Sequence, residues 1–387
     1  MTAAEGTSAA PAERAAPAWI NPWARLPEKL REMIVLLAIV AAVTVGWIGG
    51  LTYLPFLSAI ERWVADYRIA TLTPPEPQHP DIIVIGLTEE TLELFPYRSP
   101  IDRKFVAEVV QTLADRGVKA LLIDILFDQP TEDDKDDLLR KTLAGLKIPT
   151  VVSYGRQEDE LTDTQVEFLD EFVGVKQRGF AFLPKDDIDA TARWIYHGRP
   201  LPDGTYIRGV AGALGEKLGG TPPEGQVRIA FRGQPDVETQ PFRMFPAHAI
   251  AALPPAWFKD KIALIGADLS YTIGFADRHR TPFAAGPNVR AGMLPGVVIH
   301  GHALAQVLDG RRSPEVSFDV QVILVAALGL IGMMLGKLEL PPLARFSAAG
   351  VIIVAGWIAG FIVYRYATVL APLVGPTLSL LISQWGV

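Results

Sequence analysis

The feature that most constrains this sequence is an uninterrupted apolar run near its N-terminus. Residues 33–54, MIVLLAIVAAVTVGWIGGLTYL, carry no charged side chain. A helix of about 20 apolar residues crosses about 30 Å of hydrocarbon, so this run is long enough to span a membrane. Three more apolar runs lie close together near the C-terminus, at 318–336, 346–364 and 367–385. The sequence therefore predicts four transmembrane helices in contact with a lipid bilayer.

The first and last runs need separate arguments. The first follows a leader at 1–32 and is longer than the 7–15-residue apolar core of a signal peptide, so we expect a retained anchor. The leader itself has little large apolar surface and is predicted to be disordered. The last run contains Pro372 and Pro376, which a membrane helix tolerates when neighbouring helices satisfy the freed carbonyl groups.

Basic residues in the short flanks predict the orientation of the chain. They precede the first run or border the loop between the second and third: Arg25, Lys29, Arg31, Lys337 and Arg345. Arg311 and Arg312 favour the opposite orientation, but long domains cross largely regardless of charge. We therefore expect a multi-pass inner-membrane protein with both termini in the cytoplasm and segment 55–315 in the periplasm, with 316–387 forming a three-helix membrane region.

Composition narrows the possible partners and sites. The net charge of -7 gives no indication of nucleic-acid binding. The chain has no cysteine, which excludes disulfide bonds and thiolate metal sites.

The segment between the first and second apolar runs alternates strand and helix patterns. Continuous β-branched runs such as DIIVIGL are typical of strands buried on both faces of a sheet. A β-α-β rhythm predicts parallel strands with right-handed crossovers. The predicted fold is therefore an α/β extracytoplasmic domain with a mainly parallel sheet flanked by helices, plus four transmembrane helices. Strands are predicted at 81–87, 118–127, 148–154, 227–233 and 260–267, helices at 57–72, 99–117, 132–146 and 245–254, and a short strand passing into a helix at 296–310.

Three sequence blocks resemble the CHASE domain of the second type, a cyclase- and histidine-kinase-associated extracellular sensor. They are DIIVIGLTEETLELF with VKALLIDILFDQP, then PDGTYIR with IAFRG, and WFKDKIALIGADLSYTIGFADRHRTPF leading to LPGVVIHGHALAQVLDG. The similarity covers roughly 60–313, with one apolar run before it and three after it.

The resemblance implies a sensor that binds a small extracytoplasmic ligand or a protein. In that family, the trailing helices lead to a cytoplasmic output such as a nucleotide cyclase or a histidine kinase, and a homodimer or a membrane partner is expected. No cyclase or kinase motif follows the last apolar run before Val387. Truncation and a stand-alone sensor both remain open, as do a structural subunit of an envelope complex and an extracytoplasmic enzyme.

Charged side chains follow several predicted strands, and they are the candidate ligand-binding residues. Ligands of open parallel sheets bind beyond the carboxyl ends of the strands, so these carboxylates are expected to converge on one acidic mouth. The alternative is that they are helix N-caps. The candidates are Glu89, Arg98, Asp124, Asp128, Asp268, Asp277 and His300, with Arg278 and His279 as further counter-charges.

His300 and His302 are two residues apart in the third block. No third ligand of suitable spacing accompanies them, whereas zinc sites need three or four, so we predict no metal. His300 is expected to be a buried, hydrogen-bonded residue at a strand end, and His302 to lie on the surface. The chain has no G-x-S-x-G or HExxH motif and no G-x-G-x-x-G spacing, so no catalytic residue and no cofactor is predicted.

Small residues recur in the C-terminal runs, for example Gly329, Gly332 and Gly336. Small residues let helices approach closely in lipid. Two interpretations are open: a packed bundle that transmits motion, alone or as a dimer, or ordinary packing within one chain.

Overall fold

The computed structural model describes residues 23, 26–53, 55–202, 204–236, 238–269 and 278–385. Its α-helices are α1 (Glu28–Tyr53), α2 (Pro55–Leu72), α3 (Glu89–Leu92), α4 (Arg103–Asp115), α5 (Asp133–Gly145), α6 (Asp163–Phe172), α7 (Val210–Lys217), α8 (Gly296–Leu308), α9 (Phe318–Lys337), α10 (Pro342–Ala367) and α11 (Val374–Ser383). Its strands are β1 (Ile82–Leu87), β2 (Ala120–Asp124), β3 (Thr150–Tyr154), β4 (Arg178–Phe180), β5 (Trp194–Tyr196), β6 (Gly198–Pro200), β7 (Tyr206–Arg208), β8 (Gln226–Arg228), β9 (Arg243–Pro246), β10 (Ile262–Ala267), β11 (Arg278–Arg280) and β12 (Met293–Pro295).

Six of the described strands form one parallel sheet in the order β4-β3-β2-β10-β1-β9. Every residue of β1 is buried, and β10 is buried as far as Gly266. Their unbroken apolar sequences follow from this position, because both faces of the sheet are covered by helices. The predicted mainly parallel α/β fold is confirmed.

Each face of the sheet contributes to its own core. Ile85 of β1 shares one core with Val110 of α4 and Leu139 of α5. Val84, the preceding residue of β1, shares the opposite core with Leu304 of α8. Because successive side chains of a strand point to opposite faces, one apolar strand stabilises two layers of helices. Burying one such aliphatic side chain contributes about 1.5–3 kcal/mol.

Three local predictions were wrong. The run at 227–233 forms only the short strand β8, which pairs with β5 outside the six-stranded sheet. The predicted helix at 245–254 begins as the edge strand β9 and continues as a 3₁₀ helix over Ala247–Ala252. The run at 296–310 contains no strand and is helical from Gly296. Its Val-Val-Ile sequence favours a strand, but packing against the face of the sheet overrides that weak preference.

The chain forms two compact units. The sheet unit comprises Leu51–Gln321 and Val354–Val374. The helical unit comprises the described residues up to Gly50, Val322–Ile353 and the described residues from Gly375.

Within the helical unit, α9 and α11 pack closely through small residues. A Cβ on Gly329 would lie 2.6 Å from Oγ of Ser379, and one on Gly332 would clash with the backbone oxygen of Leu380. Ser379 Oγ donates a hydrogen bond to the carbonyl oxygen of Val325 at 2.7 Å. The glycines of α9 therefore serve packing within the chain, which was one of the two interpretations left open by the sequence.

Among the described residues, two helices are long and apolar enough to cross a membrane, α9 and α10, rather than the four predicted. The run at 367–385 yields only the ten-residue α11, which begins after Pro372 and tolerates Pro376 in its first turn. A helix of that length rises about 15 Å, half the thickness of the hydrocarbon core. The first run is helical as α1, and its crossing of a membrane stays a prediction.

Candidate functional site at the carboxyl edge of the sheet

The predicted carboxylates lie near the carboxyl edge of the sheet, and most have a partner of their own. Three of them accept a hydrogen bond from a nearby side chain: Glu89 from Arg98 at 3.1 Å, Asp128 from Gln165 at 2.6 Å, and Asp268 from Arg278 at 2.8 Å. Asp277 lies outside the described residues. The described part of the chain contains no group of three or more ligating side chains placed to hold a metal ion.

Besides Glu89 and Arg98, the structure brings together the candidates Asp124 and His300. Asp124 ends β2, and its Oδ1 lies 3.9 Å from Nε2 of His300 on α8. That distance exceeds a hydrogen bond. The same oxygen accepts a hydrogen bond from Ser153 Oγ at 3.1 Å, so the neighbouring strand β3 also contributes to this group. We call Asp124, Ser153 and His300 the strand-end cluster.

The strand-end cluster depends on a close approach of α8 to β10. A Cβ on Gly266, the penultimate residue of β10, would lie 2.6 Å from Cβ of Val297 and 3.2 Å from Cβ of Asp124. A side chain at this position would push the first turn of α8 away from the sheet. Glycine here therefore lets His300, in the next turn, reach the end of β2.

Two more histidines lie beside the strand-end cluster. Burial, then the electrostatic influence of Lys185 and His300, lowers the pKa of His279 to about 4. Burial, then the electrostatic influence of Arg208 and His300, lowers the pKa of His197 to about 4. Both rings are therefore neutral at pH 7, so His279 cannot supply the counter-charge expected from the sequence.

His197 is a residue that the sequence did not suggest. Its side chain is fully buried, and neither ring nitrogen has a hydrogen-bond partner among the described residues. The same is true of Nδ1 of His300. Unpaired polar atoms in a buried position are costly, and in native proteins they often mark a place that receives a water or a ligand. The strand-end cluster can therefore offer ring nitrogens and a carboxylate to a polar group.

Asp268 directly follows β10, and its backbone N–H donates a hydrogen bond to the carbonyl oxygen of Leu87 at the end of β1. Burial raises the pKa of Asp268, while the charge of Arg278 and its hydrogen bond oppose this effect. A Cβ on Gly86 of β1 would lie 3.3 Å from Cβ of Asp268. Asp268 and Asp124 thus occupy neighbouring strands, but each is engaged with a different partner.

The surface position predicted for His302 was wrong. His302 is fully buried, and its Nδ1 accepts a hydrogen bond from the backbone N–H of Arg232 at 3.1 Å. The rings of Phe231 and Phe242 each lie 5.1 Å from its ring. Burial first, then the charges of Arg311 and Arg232, lower the pKa of His302 to about 3. His302 is therefore a structural residue of the core.

A second feature of the sheet unit joins α2 and the residue after it to the end of α10 and the chain that follows α10. The carboxylate of Glu61 accepts hydrogen bonds from the backbone N–H groups of Leu373 and Val374 at 2.8 and 2.9 Å. The hydroxyl oxygens of Thr73 and Tyr364 lie 3.0 Å apart. We call these contacts the stalk contact, because α2 directly follows α1 in the chain.

A buried arginine fixes α2 to the sheet unit. Arg193 contacts Asp66 of α2 at 2.6 Å, and it also pairs with Asp186 and Asp189. Arg62 of α2 forms an ion pair with Asp186 as well. Burial alone would raise the pKa of Asp189, but the hydrogen bond and charge of Arg193 lower it to about 2. All these contacts hold α2 as part of the folded domain.

Comparison with known proteins gives one assignment. Residues 34–335 match the family model described as the CHASE2 domain. No curated protein and no solved structure shows significant similarity to the chain.

Proposed function

The chain belongs to the CHASE2 domain family, and from this premise we propose that it is the membrane-anchored input module of a signal-transduction receptor. CHASE2 domains are extracellular sensor domains of such receptors. In this proposal the sheet unit binds a small ligand or a protein, and a change in its contacts alters the packing of the membrane helices.

The stalk contact is the observation that carries the proposal. It joins two parts of the chain that border apolar helices, since α2 follows α1, and the segment 368–373 connects α10 to α11. Leu370 adds two backbone hydrogen bonds to the linker before α9, donating to Pro314 at 3.0 Å and accepting from Val316 at 3.2 Å. A ligand can shift an equilibrium only by binding two arrangements with different affinity. The stalk contact supplies the connection through which a ligand-driven change in the sheet unit would alter the packing of the helices.

We assign ligand binding to the strand-end cluster. Two observations support it: its position beyond the ends of parallel strands, and the unpaired nitrogens of His197 and His300. The ligand would be small and polar, with a hydrogen-bond donor for the Asp124 carboxylate.

We propose the following topology. The helices α1, α9 and α10 cross the inner membrane, α11 takes the chain back towards the cytoplasm, the sheet unit lies in the periplasm, and the N-terminus lies in the cytoplasm. The output is a cytoplasmic nucleotide cyclase or histidine kinase, and the receptor works as a homodimer because the active sites of such outputs form across paired chains.

Single-cysteine labelling tests this topology, because the natural chain has no cysteine. Glu158 lies in the sheet unit and Glu339 in the loop between α9 and α10, and both are exposed. In intact cells, a membrane-impermeant maleimide should label E158C and spare E339C, and permeabilisation should expose E339C. The opposite labelling pattern would contradict the proposed orientation.

A thermal-shift screen of the full chain in nanodiscs tests the ligand site. The screen covers ions and small polar metabolites, and a hit should raise the melting temperature of the wild type but not of D124N or H300N. D128N is the matched control, because Asp128 pairs with Gln165 outside the strand-end cluster. A compound that still raises the melting temperature of both D124N and H300N would show that its binding site is not the strand-end cluster.

A further inference from the structure

A groove in the sheet unit is lined by arginine side chains, and nearby carboxylates neutralise only part of their positive charge. It has a volume of about 290 Å³. Its apolar lining includes Ile69 and Leu72 of α2 and Phe231. Its basic lining is Arg311, Arg312 and Arg365. We call it the arginine groove.

Arg311 is the arginine of this groove that has a carboxylate partner. Its guanidinium donates to both oxygens of Glu76 at 2.6 and 2.7 Å. Within the described part of the chain, Arg312 and Arg365 form no ion pair, and both are exposed. The guanidinium carbon of Arg365 lies 5.7 Å from the centre of the Tyr366 ring. Two arginine side chains on the groove are thus available to an anion.

The arginine groove lies beside the start of α9 and the end of α10. Arg365 is in the last turn of α10, and Arg312 precedes the start of α9 at Phe318. Both helices are apolar enough to cross a membrane. The neighbouring Tyr366 is 82% exposed, and tyrosine is enriched at the level of lipid headgroups. If α9 and α10 cross the bilayer, these guanidinium groups lie at the level of the phosphates.

We propose that the arginine groove binds the phosphate headgroup of an anionic phospholipid. The planar guanidinium fork matches the geometry of a phosphate, which favours arginine over lysine at such a site. The apolar floor formed by Leu72 and Phe231 receives the first part of the acyl chains. The bound lipid would connect α2 to the end of α10, beside the stalk contact. The lipid composition of the membrane would then affect the stalk contact, which in the proposed function carries the signal. This inference rests on the proposed membrane crossing of α9 and α10.

Native mass spectrometry of the full chain tests the proposal. The chain is released from detergent micelles doped with equal amounts of phosphatidylglycerol and phosphatidylcholine. The wild type should retain phosphatidylglycerol in preference to phosphatidylcholine. Removing two arginines from the site in R312Q/R365Q should reduce this retention about tenfold or more. The control R243Q/R290Q removes two exposed arginines outside the groove and should retain the lipid like the wild type.

Three results would overturn the lipid assignment. They are equal retention of the two lipids by the wild type, undiminished phosphatidylglycerol on R312Q/R365Q, and equally tight binding of free glycerol phosphate, which would make the ligand a soluble anion. Circular dichroism establishes that each variant is folded, and R365Q alone serves if the double variant is not. The cysteine-labelling experiment reports the topology independently, so failure of the lipid site and failure of the receptor topology are distinguishable.

Discussion

Arg193 donates hydrogen bonds to both carboxylate oxygens of Asp66, a residue 127 positions earlier in the chain. The guanidinium is fully buried, and the carboxylate side chain is 5% exposed. Asp186, also fully buried, accepts another of its hydrogen bonds at 2.6 Å. A charged network of this kind orients α2 on the sheet unit, and α2 in turn positions Glu61 for the stalk contact.

Replacing Arg193 with methionine should be severely destabilising. It leaves the carboxylate of Asp66 buried without its cation, which typically costs about 3–5 kcal/mol, whereas Asp186 keeps its ion pair with Arg62. Thermal or urea unfolding of the full chain measures this loss. The control R98M breaks the exposed pair with Glu89 and should cost at most about 1 kcal/mol. Equal stability of R193M and R98M would show that the buried network does not hold α2.

The stability of the sheet unit should fall in mild acid. His197 and His279 have pKa values lowered to about 4, and His302 to about 3, each mainly by burial. The unfolded chain binds protons at these residues below about pH 6.5, whereas the folded chain does not. Stability is therefore unaffected by these residues above that pH and decreases as the pH falls from 6.5 towards 4.

The expected slope is at most about 1.4 kcal/mol per pH unit for each histidine. Urea unfolding at pH 7.5, 6.5, 5.5 and 4.5 measures it, and H197L, which removes one titrating ring, should have a shallower slope. A free energy of unfolding that stays constant from pH 6.5 to 4.5 would be incompatible with neutral, buried rings.

Replacing Gly266 with alanine should destabilise the domain and disrupt the strand-end cluster. The added Cβ would lie 2.6 Å from Cβ of Val297, and overpacking of this kind typically costs about 1–3 kcal/mol. The control G145A adds the same methyl group where nothing lies within 4 Å among the described residues. At the end of α5 it should be neutral or slightly stabilising. Melting temperatures compare the two, and a G266A protein as stable as G145A would refute the close approach of α8.

Replacing Glu61 with alanine should loosen the stalk contact. The backbone N–H groups of Leu373 and Val374 would lose a charged acceptor. Hydrogen bonds to charged groups contribute about 1.5–3 kcal/mol, so these amides should exchange with solvent about 10- to 100-fold faster. Hydrogen–deuterium exchange of the full chain measures this, with E158A as a control on an exposed carboxylate. Unchanged exchange at 373–374 in E61A would mean that Glu61 does not hold the segment.

The sheet and its covering helices were predictable because their signals are local. β1 and β10 are continuous apolar runs, and Asp102 caps α4 by accepting a hydrogen bond from the backbone N–H of Phe105 at 2.9 Å. Such patterns depend on residues within a few positions of one another. The candidate Asp124 was found in the same way, because it directly follows a buried run.

The histidines were not predictable, because their surroundings come from distant parts of the chain. Helix geometry puts His300 and His302 on opposite faces, which suggested that one of them faces water. However, α8 is buried all round from Gly296 to Val307, so both faces lie in the protein. His197 lies between the short strands β5 and β6, and no local pattern relates it to the end of β2.

The position of β10 also constrains how the protein can acquire its shape during synthesis. Strands β4, β3 and β2 meet β1 and β9 through β10, which pairs with β2 on one side and β1 on the other. The pairing of β1 and β2 with β10 therefore cannot begin until the ribosome has passed residue 267. Sheets closed by such long-range pairing form slowly, so the edges of β1 and β2 that β10 covers stay unpaired until that strand is available.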